Sequence, residues 1–175
     1  LKGLKLLDVG CGGGLLSEPL ARLGAEVTGL DAAEKNIRIA ALHAEEAGLE
    51  IDYRHGSVEA LAESGGRFDA VMNMEVVEHV ADVESFLTAS ADLVRPGGLT
   101  ILATLNRTPK AFLLAIVGAE YLLRWLPRGT HDWRRFLRPS ELARALRQAD
   151  MEVTEMTGVA YNPLTDSWRL APRDL

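Results

Sequence analysis

Leu6-Leu7-Asp8-Val9-Gly10-Cys11-Gly12-Gly13-Gly14 is a short apolar run that enters a glycine turn, and a helix-like pattern leaves it. Without Cβ atoms, the backbone of such a turn lets a ligand lie directly on it. The next apolar run, Val27-Thr28-Gly29-Leu30, ends in Asp31. That remove, about twenty residues, is where a second strand delivers a carboxylate to a ribose diol. The two features together predict a nucleoside-binding α/β sheet.

The glycine spacing narrows the nucleoside. A dinucleotide turn of the form G-x-G-x-x-G/A would need a small third residue, but counting from Gly10 gives Leu15 and from Gly12 gives Ser17. A phosphate loop would need Gly-Lys-Ser/Thr, which does not follow. Glycines at alternate positions after Asp8 instead resemble the D-x-G-x-G-x-G motif of S-adenosylmethionine-dependent methyltransferases. That resemblance implies a donor pocket built on Asp8, Gly10, Gly12 and Gly14. Cys11, the single cysteine, reads as filling a small space in the turn rather than reacting.

Composition is that of one soluble globular domain, 1–175, with 47% hydrophobic and 25% charged residues. A net charge of −6 argues against a nucleic-acid partner, although a local basic patch is compatible with it. One cysteine allows no intrachain disulfide and no thiolate zinc cage. No signal peptide or spanning segment is visible. The chain opens directly on a strand and closes on Asp174-Leu175 after an extended-looking stretch, so it reads as a fragment.

Apolar runs alternate with helical patterns throughout, which predicts a Rossmann-like, doubly wound α/β sheet, mostly parallel. The pattern places strands near 5–9, 26–30, 50–54, 69–73, 99–104 and 152–158, and helices near 14–23, 33–47, 82–94, 110–125 and 139–149. Gly24, Gly48 and Gly97-Gly98 read as helix stops, and Asp82 and Ser140 as N-terminal caps.

Two stretches break the alternation. Ala111–Leu126 forms the heart of an insertion over 107–138 after the fifth strand, and its apolar residues cover more than one helix face. It is too short to span a bilayer, and Arg107, Lys110, Arg124 and Arg128 flank it. It reads as a core helix or substrate lid, or as an interfacial segment that dips into lipid. Near the end, Asn162-Pro163 starts a turn and the residues to Leu170 begin a final antiparallel strand, with too little chain to complete it.

Ligands in such a sheet gather outside the carboxyl ends of the strands. Asp31 ends the second; His55, Ser57 and Val58 follow the third, where the base would lie; Met74 ends the fourth and would pack on the donor. Glu75, Glu78 and His79 come next. On a helix, the i, i+3, i+4 spacing puts them on one face, as ligands for Mg²⁺, Mn²⁺ or Zn²⁺. The alternative is an acidic helix start beside a solvated histidine. His131, in the loop after the insertion, can complete such a metal site or remove a proton. His43 reads as structural and His55 as shaping the base pocket.

With these residues in hand, the chain resembles the ubiquinone-biosynthesis O-methyltransferases. The segments that carry the resemblance are LDVGCGGGLLSE, VTGLDAAEKNI, MEVVEHV, LVRPGGLTILATLNRT, VGAEYLLRWLPRGTHDW and TGVAYNPLTDSW. It implies donor contacts at Gly10, Asp31 and Met74, and a divalent cation on Glu75, Glu78 and His79. It also implies a polyprenyl phenol or quinol acceptor, lipid contact through 111–126, and other proteins of that biosynthesis as partners. Catalysis would fall to His131, Glu78 and His79. The implied location is cytoplasmic and peripheral to the inner membrane, on the matrix side in a eukaryote. The family normally has a further N-terminal segment and a complete final strand. The same motifs also suit a small-molecule or RNA 2′-O-methyltransferase, or a donor-binding module impaired in catalysis.

Overall fold

The computed structural model describes residues 1–125, 127–162, 165 and 167–172, with the backbone alone at Ala119. These residues form two compact units, Leu1–Thr104 and Leu105–Leu175.

In the first unit, five parallel strands lie in the order β3-β2-β1-β4-β5. They are β1 (Lys5–Val9), β2 (Glu26–Asp31), β3 (Asp52–His55), β4 (Phe68–Met74) and β5 (Val94–Ala103). The crossovers carry α1 (Ser17–Arg22), α2 (Glu34–Glu46), α3 (Val58–Glu63) and α4 (Val83–Asp92). In the central β1, every residue after Lys5 is buried, because a strand covered on both faces has no solvent side. Leu6, Ala25, Val27 and Met72 form a core on one face, joined by Leu16 and Leu20 from the α1 side. Full burial of Leu6, Val27 or Met72 contributes roughly 1.5–3 kcal/mol each by leaving water. The edge strand β3 has no fully buried residue, which its charged sequence Asp52-Tyr53-Arg54-His55 already implies. The register pairs Val9 with Leu30 and Asn73, and Asp31 with His55. The glycine turn, Asp31, His55 and Met74 therefore leave the sheet along one edge.

Local chemistry explains where the elements begin and end. Gly24 and Gly48 sit at positive φ just past α1 and α2 and stop them. Asp82 caps α4, accepting the Ser85 N–H at 3.1 Å. The helix expected from residue 14 starts only at Ser17, because Gly14 at φ 87° continues the turn. Gly97 and Gly98 do not stop a helix; they lie inside β5, beside a register shift in β4 at Phe68/Ala70. A Cβ on Gly98 would stand 2.8 Å from the Asp69 carbonyl oxygen, so close strand approach is what requires glycine there. Helix α3 has only six residues, too few for periodicity to reveal.

The second unit opens with α5 (Pro109–Ala111), which runs into a π-helical stretch, Phe112–Leu122. A 3₁₀ turn (Trp133–Arg135), α6 (Pro139–Gln148) and an antiparallel hairpin of β6 (Gly158–Asn162) and β7 (Ser167–Ala171) follow. The insertion is thus wound more widely than the α-helix expected over 110–125: the Leu123 N–H reaches back five residues to the Gly118 carbonyl at 2.8 Å. Ser140 lies within the first turn of α6 and does not cap it; Glu141 accepts the Arg138 N–H at 3.0 Å instead. The strand expected over 152–158 is not formed, and pairing begins at Gly158. The final strand is antiparallel as expected, pairing Ser167–Ala171 with Gly158–Asn162. Apolar content told of burial and not of a partner. Pro163 of the expected turn, Leu126 of the insertion and the terminal Asp174-Leu175 lie outside the described residues.

Candidate active site

The turn after β1 is held by backbone geometry. Gly10, Gly12 and Gly14 all have positive φ (71°, 53° and 87°), and the Gly10 and Cys11 N–H groups bond the Leu30 carbonyl at 2.7 and 3.1 Å. A Cβ on Gly10 would run into Val76, and one on Gly14 into the Tyr53 hydroxyl. At Gly12 a Cβ would meet nothing within 4 Å. Gly12 is therefore where the turn shows bare backbone to open space.

Asp31 stands over that point. Its Oδ2 accepts the Gly12 N–H at 2.9 Å, while Oδ1 accepts the Ala33 N–H at 2.8 Å and the Asn36 side-chain amide at 3.1 Å. The carboxylate stays part-exposed, with lone pairs still available to a diol. Asn36 escaped the sequence reading; its signal was an amide one turn beyond the acid.

Asp8 braces the turn from inside. It is 2% exposed and accepts the Ser17 hydroxyl at 2.7 Å, tying β1 to α1. Burial pushes its carboxyl up, the Ser17 bond opposes this, and the Asp31 charge adds to the rise. The Cys11 thiol is pushed up to about 12, first by burial and then by Asp8 and Asp31, which removes it as a nucleophile. Ser57 caps α3 through the Ala60 N–H at 3.3 Å, and the Val58 side chain is in the core. Met74 ends β4 at 42% exposure, and His55 ends β3 with Nε2 3.1 Å from the Ala32 carbonyl.

The expected metal centre is not assembled. Residues 75–79 are not helical: Glu75 is left-handed at φ 57°, and the His79 N–H closes a turn on the Val76 carbonyl at 2.8 Å. Glu75 and His79 face solvent, whereas Glu78 is 3% exposed and accepts the Thr104 hydroxyl at 3.0 Å. Among the described residues no three His, Cys, Asp or Glu side chains are grouped to hold an ion. The i, i+3, i+4 argument needed a helix; α4 begins only at Val83. Glu78 Oε1 and both polar atoms of Asn73 are buried without a partner.

The second unit pairs His131 with an acid that sequence reasoning had passed over. Glu120, 1% exposed within the π-helical stretch, accepts the Gly129 N–H at 2.7 Å, the His131 N–H at 2.8 Å and the His131 Nδ1 at 2.9 Å. Burial alone pushes this carboxyl up, but the Gly129 and His131 N–H groups and the His131 ring outweigh it and hold it below the ordinary range. The His131 ring packs edge-on to Phe136, with centroids 5.9 Å apart.

Around this pair the insertion stays apolar and basic outside. Leu113, Leu114, Leu122 and Trp125 are each at least 59% exposed, and Arg128 stacks over Tyr121 at 5.0 Å. Seven of the chain's nineteen lysines and arginines fall within 107–138, against two acids, Glu120 and Asp132. Among the described residues no helix is long and apolar enough to cross a membrane.

A methyltransferase domain model matches residues 7–102, the β1-to-β5 sheet that carries the glycine turn and Asp31. By fold the chain is similar to a magnesium protoporphyrin IX methyltransferase from Synechocystis, solved with bound S-adenosylhomocysteine, at TM-score 0.71 and 24% identity over 92% of this chain and 69% of that one. It is also similar to an S-adenosylmethionine-dependent methyltransferase from Methanosarcina mazei, at TM-score 0.72 and 20% identity over 97% and 90%.

Ubiquinone biosynthesis O-methyltransferases from Dinoroseobacter shibae and Ruegeria pomeroyi are each 61% identical to it, over 99% of this chain and 70% of theirs. The chain belongs to the ubiquinone biosynthesis O-methyltransferase family.

Proposed function

We propose that the protein transfers the methyl group of S-adenosylmethionine to a phenolic hydroxyl of a polyprenyl catechol or demethylubiquinol. The carrying observation is the Asp31 carboxylate, 2.9 Å from the Gly12 N–H at the one motif glycine facing open space. When bound, the donor supplies an electrophilic sulfonium methyl. Asp31 accepts the ribose hydroxyls, the bare backbone at Gly12 admits the nucleoside, and Met74 gives it an apolar wall.

The acceptor oxygen must lose its proton. A phenol titrates near pH 10, so roughly a thousandth is ionised at pH 7, a deficit of about 4 kcal/mol. His131 is the base in this reading, taking the proton from the phenolic oxygen as it attacks. Glu78 holds the turn after β4 through Thr104, and His79 lies on that turn. No step runs through a cation, because Glu75, Glu78 and His79 do not converge.

The exposed apolar and basic surface of 107–138 supports a peripheral seat on an anionic membrane, from which a polyprenyl acceptor is reached. This corresponds to the cytoplasmic face of an inner membrane, or the matrix face in a eukaryote. The test is methylation of a short-chain demethylubiquinol with labelled donor, with and without chelator. Labelled product is expected; donor binding without transfer to any quinol overturns the reading. A large loss of turnover with chelator, restored by Mg²⁺, overturns the cation-free part alone.

A further inference from the structure

Asp31 already accepts three hydrogen bonds from within the protein. Oδ2 holds one, from the Gly12 N–H, and Oδ1 holds two, from the Ala33 N–H and the Asn36 amide. A carboxylate offers about four lone-pair directions, two on each oxygen. The open direction therefore lies on Oδ2, while Oδ1 is crowded. A ribose diol brings two hydroxyls. Asp31 takes the first on Oδ2 without hindrance and meets the second at an oxygen it shares with Asn36.

Asn36 has polar groups to spare at that point. A carboxylate that only accepts fixes which end of the amide faces it, so Nδ2 lies on Asp31 at 3.1 Å. Among the described residues, neither the second N–H nor the carbonyl Oδ1 of this amide has a partner. The side chain bonds no backbone group of α2, whose first turn is closed by the Asn36 N–H on the Ala33 carbonyl at 2.9 Å. Helix capping therefore does not account for it. Of the three donors on Asp31, Gly12 and Ala33 give backbone groups, and only Asn36 gives a side chain that can turn to follow a ligand. From this arrangement we infer that Asn36 is a specificity-determining residue of the donor site. Asp31 Oδ2 takes one sugar hydroxyl, and Asn36, docked on Oδ1, holds the other through its free amide groups. The inference rests on the proposed seat of the ribose at Asp31.

The test is calorimetry with S-adenosylhomocysteine and its 2′-deoxy and 3′-deoxy analogues. Asn36→Ala is expected to melt close to the unmodified protein and to bind the parent compound about ten-fold more weakly, the effect of one hydrogen bond. That loss is expected to vanish for the one deoxy analogue that lacks the hydroxyl held by Asn36, and to persist for the other. Asn36→Ser, too short to reach the sugar, is expected to give the same pattern. In transfer assays the donor KM is expected to rise by the same factor with kcat unchanged. An equal loss for all three compounds overturns the inference, because Asn36 then acts on the helix or the carboxylate and not on the sugar. No loss for the parent compound overturns it as well. Asp31→Ala separates this from the donor reading. If that variant binds the parent compound as tightly as the unmodified protein, the ribose seat at Asp31 fails and takes the inference with it. If it binds weakly while the Asn36 variants discriminate no hydroxyl, the seat stands and the inference alone fails.

Discussion

Two carboxylates in this molecule are bonded alike and serve different ends. Asp31 holds the Gly12 and Ala33 N–H groups and the Asn36 amide; Glu120 holds the Gly129 and His131 N–H groups and the His131 ring. Asp31 remains part-exposed beside open space at Gly12, so a diol can still reach it. Glu120 is 1% exposed and its bonds are all internal to its unit. Exposure, not bonding pattern, separates an acid that receives a ligand from one that fastens a loop.

The sharpest way to break this contrast is to remove each acid. Glu120→Ala strands two loop N–H groups and the ring, and is expected to destabilise the protein by about 3 kcal/mol in denaturant melts. Asp31→Ala is expected to leave those melts nearly unchanged and to weaken donor affinity by about a hundred-fold in calorimetry, the worth of two charge-assisted bonds. Equal stability losses in the two variants would erase the distinction.

A smaller effect probes the turn beneath Asp31. Gly14→Ala pays the left-handed strain of φ 87° and meets the Tyr53 hydroxyl, so a loss of about 1–2 kcal/mol is expected. Tyr53→Phe should recover part of it; no recovery would mean that strain, not contact, is the cost.

The smallest effect is one of pH, and here Asp8 replaces Asp31 in the comparison. Glu120 is held below its ordinary 4.5, so its contribution is fully present above that pH and is lost as pH falls through the folded value. Asp8 is raised above 3.8, so its contribution is present below that pH and is lost as pH rises through its folded value. Glu120→Gln should therefore flatten the acid limb of stability against pH. Asp8→Asn, keeping a bond to Ser17, should raise stability at neutral pH relative to its effect at pH 3. The opposite ordering in thermal melts would show the two environments to be misread.

The sheet and its turn were legible because their signals are local. Positive φ at Gly10, Gly12 and Gly14 is a demand on single residues, and only glycine meets it cheaply, so the motif shows in the letters. Asp31 is placed by strand length, and β1, β2 and β4 announce themselves by short, mainly apolar runs. The three candidate cation ligands are not grouped among the described residues, for a related reason. Spacing specifies a shared face only if the backbone is helical, and Glu75 at φ 57° makes it a turn.

By itself, then, the sequence determined the order of the five parallel strands, the glycine turn and the acid beside it, since each follows from chain-local sterics and spacing. Only the tertiary structure decided that Glu78 turns inward to Thr104, that 151–157 finds no strand partner and that Glu120 claims His131. Those outcomes depend on which distant group occupies the space opposite a side chain. Hydrogen-bond partners up to 26 residues away leave no periodic trace in the chain.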